Sequence, residues 1–251
     1  MTYSVDYTVP YQDIDANRRL RLYTLENYLL NAAGHAADAA GYGIDVLFAH
    51  GWTWVLIQLH LELTMLPTHG EHLRVDTWVE QYAHMISVRN FRILYRSNEE
   101  DEWQLIGQAQ SQWVVLDLTT RQIVNCPLLA VTAHPEADAP IRLTLPAVRV
   151  RPMATTEEAA EKIAIKYSDC DYNGHCNSCK YLEKMLDAHE VNVNNSPIRL
   201  VIKYVKEVHK GESINISFSE DSQGIQYQIK NEKNQTCCAA TISKISHLTE
   251  Q

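Results

Sequence analysis

Apolar residues follow two different periods along this chain, and the switches between them outline its elements. Leu22, Leu25, Leu29, Ala32, Ala33, Ala36 and Ala40 recur at helical spacing, which predicts an amphipathic helix. Its buried face becomes small toward the C-terminal end, as suits a helix lying close against a sheet. Alternation with a period of two then predicts strands over 54–63, 73–79, 85–95 and 105–116. The polar run from Asn98 to Asp101 reads as a turn between two of them. A shorter set follows: a strand near 162–167, a helix over about 179–189, and strands over 198–208, 213–219, 225–230 and 237–245. Between the two sets, residues 125–159 contain Pro127, Pro135, Pro140, Pro146 and Pro152, a density that predicts an extended link.

The two sets read as copies of one unit. At one constant offset Tyr11, Asp13, Asp15 and Asn17 fall on Tyr167, Asp169, Asp171 and Asn173, and Leu30 and Ala32 continue onto Leu186 and Ala188. At a shorter offset the stretch from Gly70 to Val75 matches that from Gly211 to Ile216. The offset shrinks because the first copy has a longer link between helix and sheet, around 41–51. A long helix followed by four or more antiparallel strands, twice, predicts an α+β fold with each sheet wrapped around a central helix. Strands that follow one another without intervening helices disfavour a parallel α/β arrangement. The expected division is a first unit over 1–130, a linker over 131–158 and a second unit over 159–251.

Composition narrows the class of protein. The chain has 251 residues, 45% of them hydrophobic and 21% charged, as in ordinary globular proteins. The N-terminus lacks the basic start and apolar stretch of a signal peptide, and no window is long and apolar enough for a membrane span. A cytoplasmic, soluble protein is expected. The net charge of −9 argues against a nucleic-acid partner. Basic residues do cluster locally, at Arg18, Arg19 and Arg21 and again at Arg149 and Arg151. The six cysteines read as reduced thiols, since a chain with a full core needs no disulfides. Cys176 and Cys179 have a zinc-like spacing beside His175, but no second pair completes four ligands.

Candidate chemistry emerges where the copies differ. The shared aspartates and asparagine suit a turn and a helix N-terminus in both halves. The second copy, however, has His175 over Arg19 and Glu207 over Leu66. A histidine beside a helix N-terminus can donate to a carbonyl oxygen as negative charge develops there. Glu207 can act as a general base on water, Asn173 can orient that water, and Asp171 can hold neighbouring donors in place. These parts suit hydrolysis of an activated acyl group with neither metal nor cofactor. The bland alternatives are ordinary turn residues and a solvent-facing glutamate. There is no Gly-x-Ser-x-Gly elbow, phosphate-binding glycine loop or His-Glu-x-x-His. Gly41-Tyr42-Gly43 reads as a helix stop.

The stretch Asp171-Tyr172-Asn173-Gly174-His175-Cys176-Asn177 through Tyr181 resembles the D-x-N-x-H-V-N-N-x-x-Y segment of the acyl-acyl-carrier-protein thioesterases. Supporting similarity lies at Trp52 to Leu56, Trp113 to Arg121 and Lys203 to Glu207. The resemblance implies a tandem double hotdog fold and hydrolysis of the thioester joining a fatty acyl chain to the carrier's phosphopantetheine arm. It puts the family's catalytic residues on Asp171, Asn173, His175 and Glu207, and leaves the first unit to hold the acyl chain. Acyl carrier protein is then the expected partner, docked by one of the arginine clusters, and a monomer or a homodimer is expected. An acyl-CoA thioesterase, a hotdog dehydratase and a non-catalytic acyl-binding protein are the alternatives. The sequence departs from the family in two places. The paired asparagines are Asn177-Ser178, and Val208 stands where some plant members have cysteine after the glutamate. The second departure excludes a thiol nucleophile there and leaves activated water or a carboxylate such as Asp171. Cys176 and Cys179 read as helix packing.

Overall fold

The computed structural model describes residues 2–132, 161–191, 197–245 and 248. Helix α1 (Leu22–Ala39) follows the leucine and alanine spacing: Leu25 and Leu29 are fully buried, each such burial contributing about 1.5–3 kcal/mol, and Ala32, Ala33 and Ala36 continue their face. The helix ends in a Schellman motif. Gly41 adopts φ +80°, its N–H donates to Asp38 O, and the Tyr42 N–H donates to Ala37 O. The link after it is not a plain connection, because α2 (Ile44–Ala49) forms there and packs Leu47 with Ala37 and Tyr42 in a small second core. Six residues are too few to display a helical period, so this helix could not be read from the pattern.

The first half contributes strands β1 (Tyr3–Thr8), β2 (Trp52–Leu63), β3 (His72–Ala83), β4 (Ile86–Arg96), β5 (Gln104–Asp117) and the short β6 (Ile123–Val124), followed by α3 (Pro127–Thr132). That helix corrects the expected extended link. Pro127 occupies its first position, where a missing N–H is not needed, and Cys126 and Leu129 are buried in the small core. The other four prolines of that stretch, Arg149 and Arg151, and most of the expected linker 131–158 lie outside the described residues.

The second half contributes β7 (Glu161–Ala164), α4 (Ser178–Ala188), β8 (Ile198–Tyr204), β9 (Ser213–Asp221), β10 (Gly224–Asn231) and β11 (Thr236–Lys244). Two strands are shorter than expected. Beyond β7 the chain enters a 3-10 turn at Tyr167–Asp169. Strand β8 ends at Tyr204 because the N–H groups of Val205 and Lys206 both donate to Cys237 O and leave the ladder. Glu207 therefore sits on a loop past the strand, not on the strand itself.

All named pairings are antiparallel, and they build one sheet in the order β1-β3-β4-β5-β2-β8-β11-β10-β9-β7. Read outward from the centre, the two halves repeat the same order. They join through β2 and β8, where Leu59 pairs with Ile202, His60 with Val201 and Leu61 with Leu200. Val201 is His60's own counterpart at the shorter repeat offset, so a local two-fold axis passes between these residues. Inward-facing side chains of both halves of the sheet and of α1 and α4 form one continuous core. This is the α+β double hotdog, with each sheet curled over its helix.

Backbone hydrogen bonds repeat between the halves as closely as the topology does. Asp15 Oδ1 accepts the Arg19 N–H at 2.9 Å, and Asp171 Oδ1 accepts the His175 N–H at 3.0 Å. The Leu20 N–H donates to Pro67 O, as the Cys176 N–H donates to Val208 O. Asp13 accepts from Tyr28 and Asp169 from Lys184, which occupy matching helix positions. One backbone position exposes a difference. The left-handed turn is taken by Gly174 at φ +77° in the second half but by Arg18 at φ +63° in the first, where a Cβ makes that conformation costly.

Candidate active site

The loop between the 3-10 turn and α4 carries three of the four expected residues. Asp171 Oδ1 accepts the backbone N–H groups of Asn173 (2.9 Å) and His175 (3.0 Å), while the Gly174 N–H donates to Asp171 O. The carboxylate thus fixes the loop's shape, and Asp15 has the matching bond to the Arg19 N–H in the first half. Asn177 caps α4, its side chain accepting the Cys179 N–H at 3.1 Å. The matching residue of α1 is Arg21, which makes no side-chain cap. His175 is thereby presented two residues ahead of a capped helix N-terminus.

Glu207 reaches this loop from the far end of β8. Its Oε1 lies 3.4 Å from His175 Nδ1, and both side chains are largely covered, with 31% and 16% of their surface exposed. The other oxygen, Oε2, accepts from the Arg121 guanidinium. Arg121 belongs to the turn after β5, so the first half supplies a cation to the second half's carboxylate. His209 completes the group, its ring 4.6 Å from that of His175 in an edge-on arrangement. Ligand atoms of His175, Glu207 and His209 all lie within 4.8 Å of one another. In the first half the corresponding pair is also in contact, as Arg19 Nη1 donating to Leu66 O at 3.2 Å. The repeat alignment therefore picked out two positions that meet in both units.

Two participants were missed by sequence reasoning. His209 had a usable signal, since residues i and i+2 of an extended segment project to one side and Glu207 was already a candidate. Arg121 had none beyond lying in a stretch that resembles the family, because its partner is 86 positions away. The expected arginine cluster fares differently. Arg19 is engaged with Leu66 O and Arg21 Nη1 donates to Gln12 O at 2.6 Å, both half-buried, whereas Arg18 is exposed.

Beside these residues opens a cavity of about 760 Å³. Asp171, Asn173, His175 and Glu207 line one part of it, together with Ser178 in the first turn of α4. From there it extends into the first half, between α1 and the inward faces of β2, β4 and β5. Its apolar walls include Leu30, Ala33, Gly34 and Ala37 of α1, with Trp54, Leu56 and Trp113 opposite. The small face of α1 thus leaves room instead of closing on the sheet. Of the two tryptophans of β2, Trp54 lines the cavity and Trp52 stacks on His50. At the mouth, the exposed Tyr172 meets Phe48 of α2 edge-on at 5.7 Å, and its hydroxyl lies 3.5 Å from Thr53 Oγ1.

The thiols near the site are poor nucleophiles. Burial pushes Cys176 up to about 12 and raises Cys179 well above the ordinary thiol range, so both are protonated at neutral pH. Val208, the position of the plant cysteine, is fully buried in the core.

Family models agree with this architecture. Residues 1–128 match the acyl-ACP thioesterase N-terminal domain and residues 153–244 match the acyl-ACP thioesterase C-terminal domain. The chain belongs to the acyl-ACP thioesterase family. It is 21% identical over 246 residues to a chloroplastic oleoyl-acyl carrier protein thioesterase of Coriandrum sativum, an alignment covering 89% of this chain and 60% of that protein. The chain spans 47–60% of the length of the curated relatives it matches. An acyl-ACP thioesterase from Bacteroides thetaiotaomicron superposes with a TM-score of 0.83 and 27% identity, covering 97% of this chain and 98% of that one. The 12:0-ACP thioesterase from Umbellularia californica superposes with a TM-score of 0.81 over 98% of each chain; at 14% identity this shows the fold alone. Among the described residues, no helix is long and apolar enough to cross a membrane.

Proposed function

We propose that this protein hydrolyses the thioester of fatty acyl-acyl carrier protein in the cytoplasm, releasing free fatty acid and ending chain elongation. The single observation that supports this reading best is the junction of a polar cluster with a long apolar cavity. His175, Glu207 and Asn173 stand where a thioester would lie, and the apolar walls beyond suit the chain attached to it. The first unit, over 1–130, holds the acyl chain, and the second, over 159–251, carries the reaction.

The chemistry needs few parts. A water near Asn173 loses its proton to the His175–Glu207 pair as its oxygen attacks the thioester carbon. Negative charge develops on the carbonyl oxygen, where the imidazole and the Ser178 N–H at the start of α4 can receive it. The C–S bond then breaks, the sulfur takes up the proton, and acid and carrier thiol depart. Asp171 holds the loop that aims His175 and Asn173, and Arg121 keeps Glu207 turned toward the histidine. Arg121 and Lys206, near the mouth, also offer positive charge to an acidic carrier.

The test is direct. Acyl carrier protein and coenzyme A thioesters of several lengths are offered, and released fatty acid is measured. Release from carrier thioesters, lost in His175→Ala and in Glu207→Gln, is the expected outcome. No release from any thioester would sink the hydrolase reading, and equal rates on both carriers would remove the carrier protein from it.

A further inference from the structure

The far part of the cavity contains a charge that thioester chemistry does not use. Arg89 lies on the inward row of β4, which continues with Phe91 and Ile93 into the core. It lines the cavity, yet only 5% of its surface is exposed. Its guanidinium donates to the Thr77 hydroxyl at 3.2 Å and lies beside Tyr42, whose electrostatic influence partly opposes the effect of burial. Both partners are uncharged, and among the described residues no carboxylate forms an ion pair with it. Burial accordingly lowers its pKa, the mark of a cation whose lost hydration is not replaced by an opposite charge.

A guanidinium buried to this extent along an apolar cavity, with no opposite charge among the described residues, is a costly thing to keep for packing alone, since an apolar side chain would fill the same row. Its forked donors match a carboxylate, which would supply the missing charge and take two N–H groups at once. The position also fits the path of a chain. Arg89 pairs across the sheet with Ser111, Ser111 with Leu59, and Leu59 with Ile202, which lies two residues before the cavity-lining Tyr204. Three strand spacings of ~4.8 Å put Arg89 roughly 14 Å across the sheet from Ile202, on the strand that leads toward Glu207. Asp38, the other charged residue in this part of the lining, is exposed on the last turn of α1, where water screens it.

We propose that Arg89 makes the distal end of the cavity a receptor for an anionic chain terminus, so that the protein takes acyl chains bearing a second carboxylate at their far end. This rests on the reading of the cavity as the acyl site and names the class of chain it accepts. Methyl-ended chains of the same length would leave the guanidinium unpaired and would bind less well.

The test separates binding from hydrolysis. Two alkyl thioethers of pantetheine, equal in length and ending in methyl or in carboxylate, are titrated into the full chain by calorimetry. A thioether cannot be hydrolysed, so the result does not depend on whether the protein is a thioesterase. Wild type should bind the carboxyl-ended probe about tenfold or more tightly, the ratio expected of one charge-assisted hydrogen bond. Arg89→Met should reverse that order, and Arg89→Lys, which keeps the charge, should retain part of it. Equal or tighter binding of the methyl-ended probe by wild type overturns the proposal, as does failure of both probes to bind. Should Arg89→Met not fold, the wild-type comparison and Arg89→Lys still decide. Binding in this order, with no acid released from any thioester, would refute the hydrolase and leave the receptor standing.

Discussion

Replacing Glu26 with glutamine should stabilise the protein at pH 8 relative to pH 5. Glu26 lies on α1, fully buried, where the second unit has Leu182. Its Oε1 accepts the Tyr204 hydroxyl at 2.5 Å, while Oε2 has no partner among the described residues. Burial dominates and raises its pKa from 4.5 to about 7, the tyrosine bond only partly opposing this. The sign follows from which state holds the proton. Above pH 4.5 the unfolded chain gives its proton up, while the folded protein keeps it until about pH 7, so stability falls as pH rises between the two. The difference of about 2.5 pH units corresponds to roughly 3 kcal/mol at 1.36 kcal/mol per unit. Glutamine keeps an oxygen for Tyr204 and carries no charge. Thermal or urea unfolding of both proteins at pH 5 and pH 8 should show the variant gaining about 3 kcal/mol on wild type across that interval. For a chain of this size that is on the order of 6–12 °C in Tm. Stability curves that stay parallel from pH 5 to pH 8 would show that Glu26 does not titrate there, and the reasoning from its unpartnered oxygen would fail.

Arg199→Met should destabilise by about 3–5 kcal/mol, because Arg199 donates through Nε and Nη2 to Glu62 Oε1 and Glu62 is fully buried. A second substitution, Glu62→Leu, should restore much of the loss in urea unfolding; no restoration would mean the pair is not the source. If Glu207 acts as proposed, Arg121→Leu should lower kcat by roughly tenfold to a hundredfold by letting that carboxylate move, with a smaller effect on KM; an unchanged kcat would show that Glu207 needs no anchor. Chelators should leave thioester hydrolysis intact, whereas added zinc should inhibit by drawing together His175, Glu207 and His209. His209→Ala should weaken that inhibition, and inhibition as strong in the variant would place the zinc elsewhere.

Much of the fold was legible because each element announces its own period. The leucines and alanines of α1 and the alternating strands of both sheets needed no tertiary information, and the duplication made each half a check on the other. What stayed hidden depends on contacts between distant segments or on runs too short to show a period. Helix α2 has six residues, α3 begins at a proline that reads equally well as a breaker, and β8 ends early because two N–H groups share one carbonyl of β11. Of the candidate site, the aspartate–asparagine–histidine loop was visible as a motif, and Glu207 emerged by contrast with Leu66. Arg121 was not, since nothing local to the turn after β5 says that it will meet a carboxylate of the other unit. Arg89 was hidden for a similar reason: on paper it is one charged residue in an alternating strand, and only the register shows that it faces inward.

The edge-to-edge joining of β2 and β8 has a consequence for how many molecules the protein can serve at once. Had the same two units met as separate identical chains, any opening on one side of the His60–Val201 axis would be mirrored on the other. Covalent linkage lifts that restriction. One side has closed over Arg19 and Leu66, and the other has taken the space beneath α1 for itself. On the proposed function, this cavity should therefore saturate at one acyl chain per polypeptide.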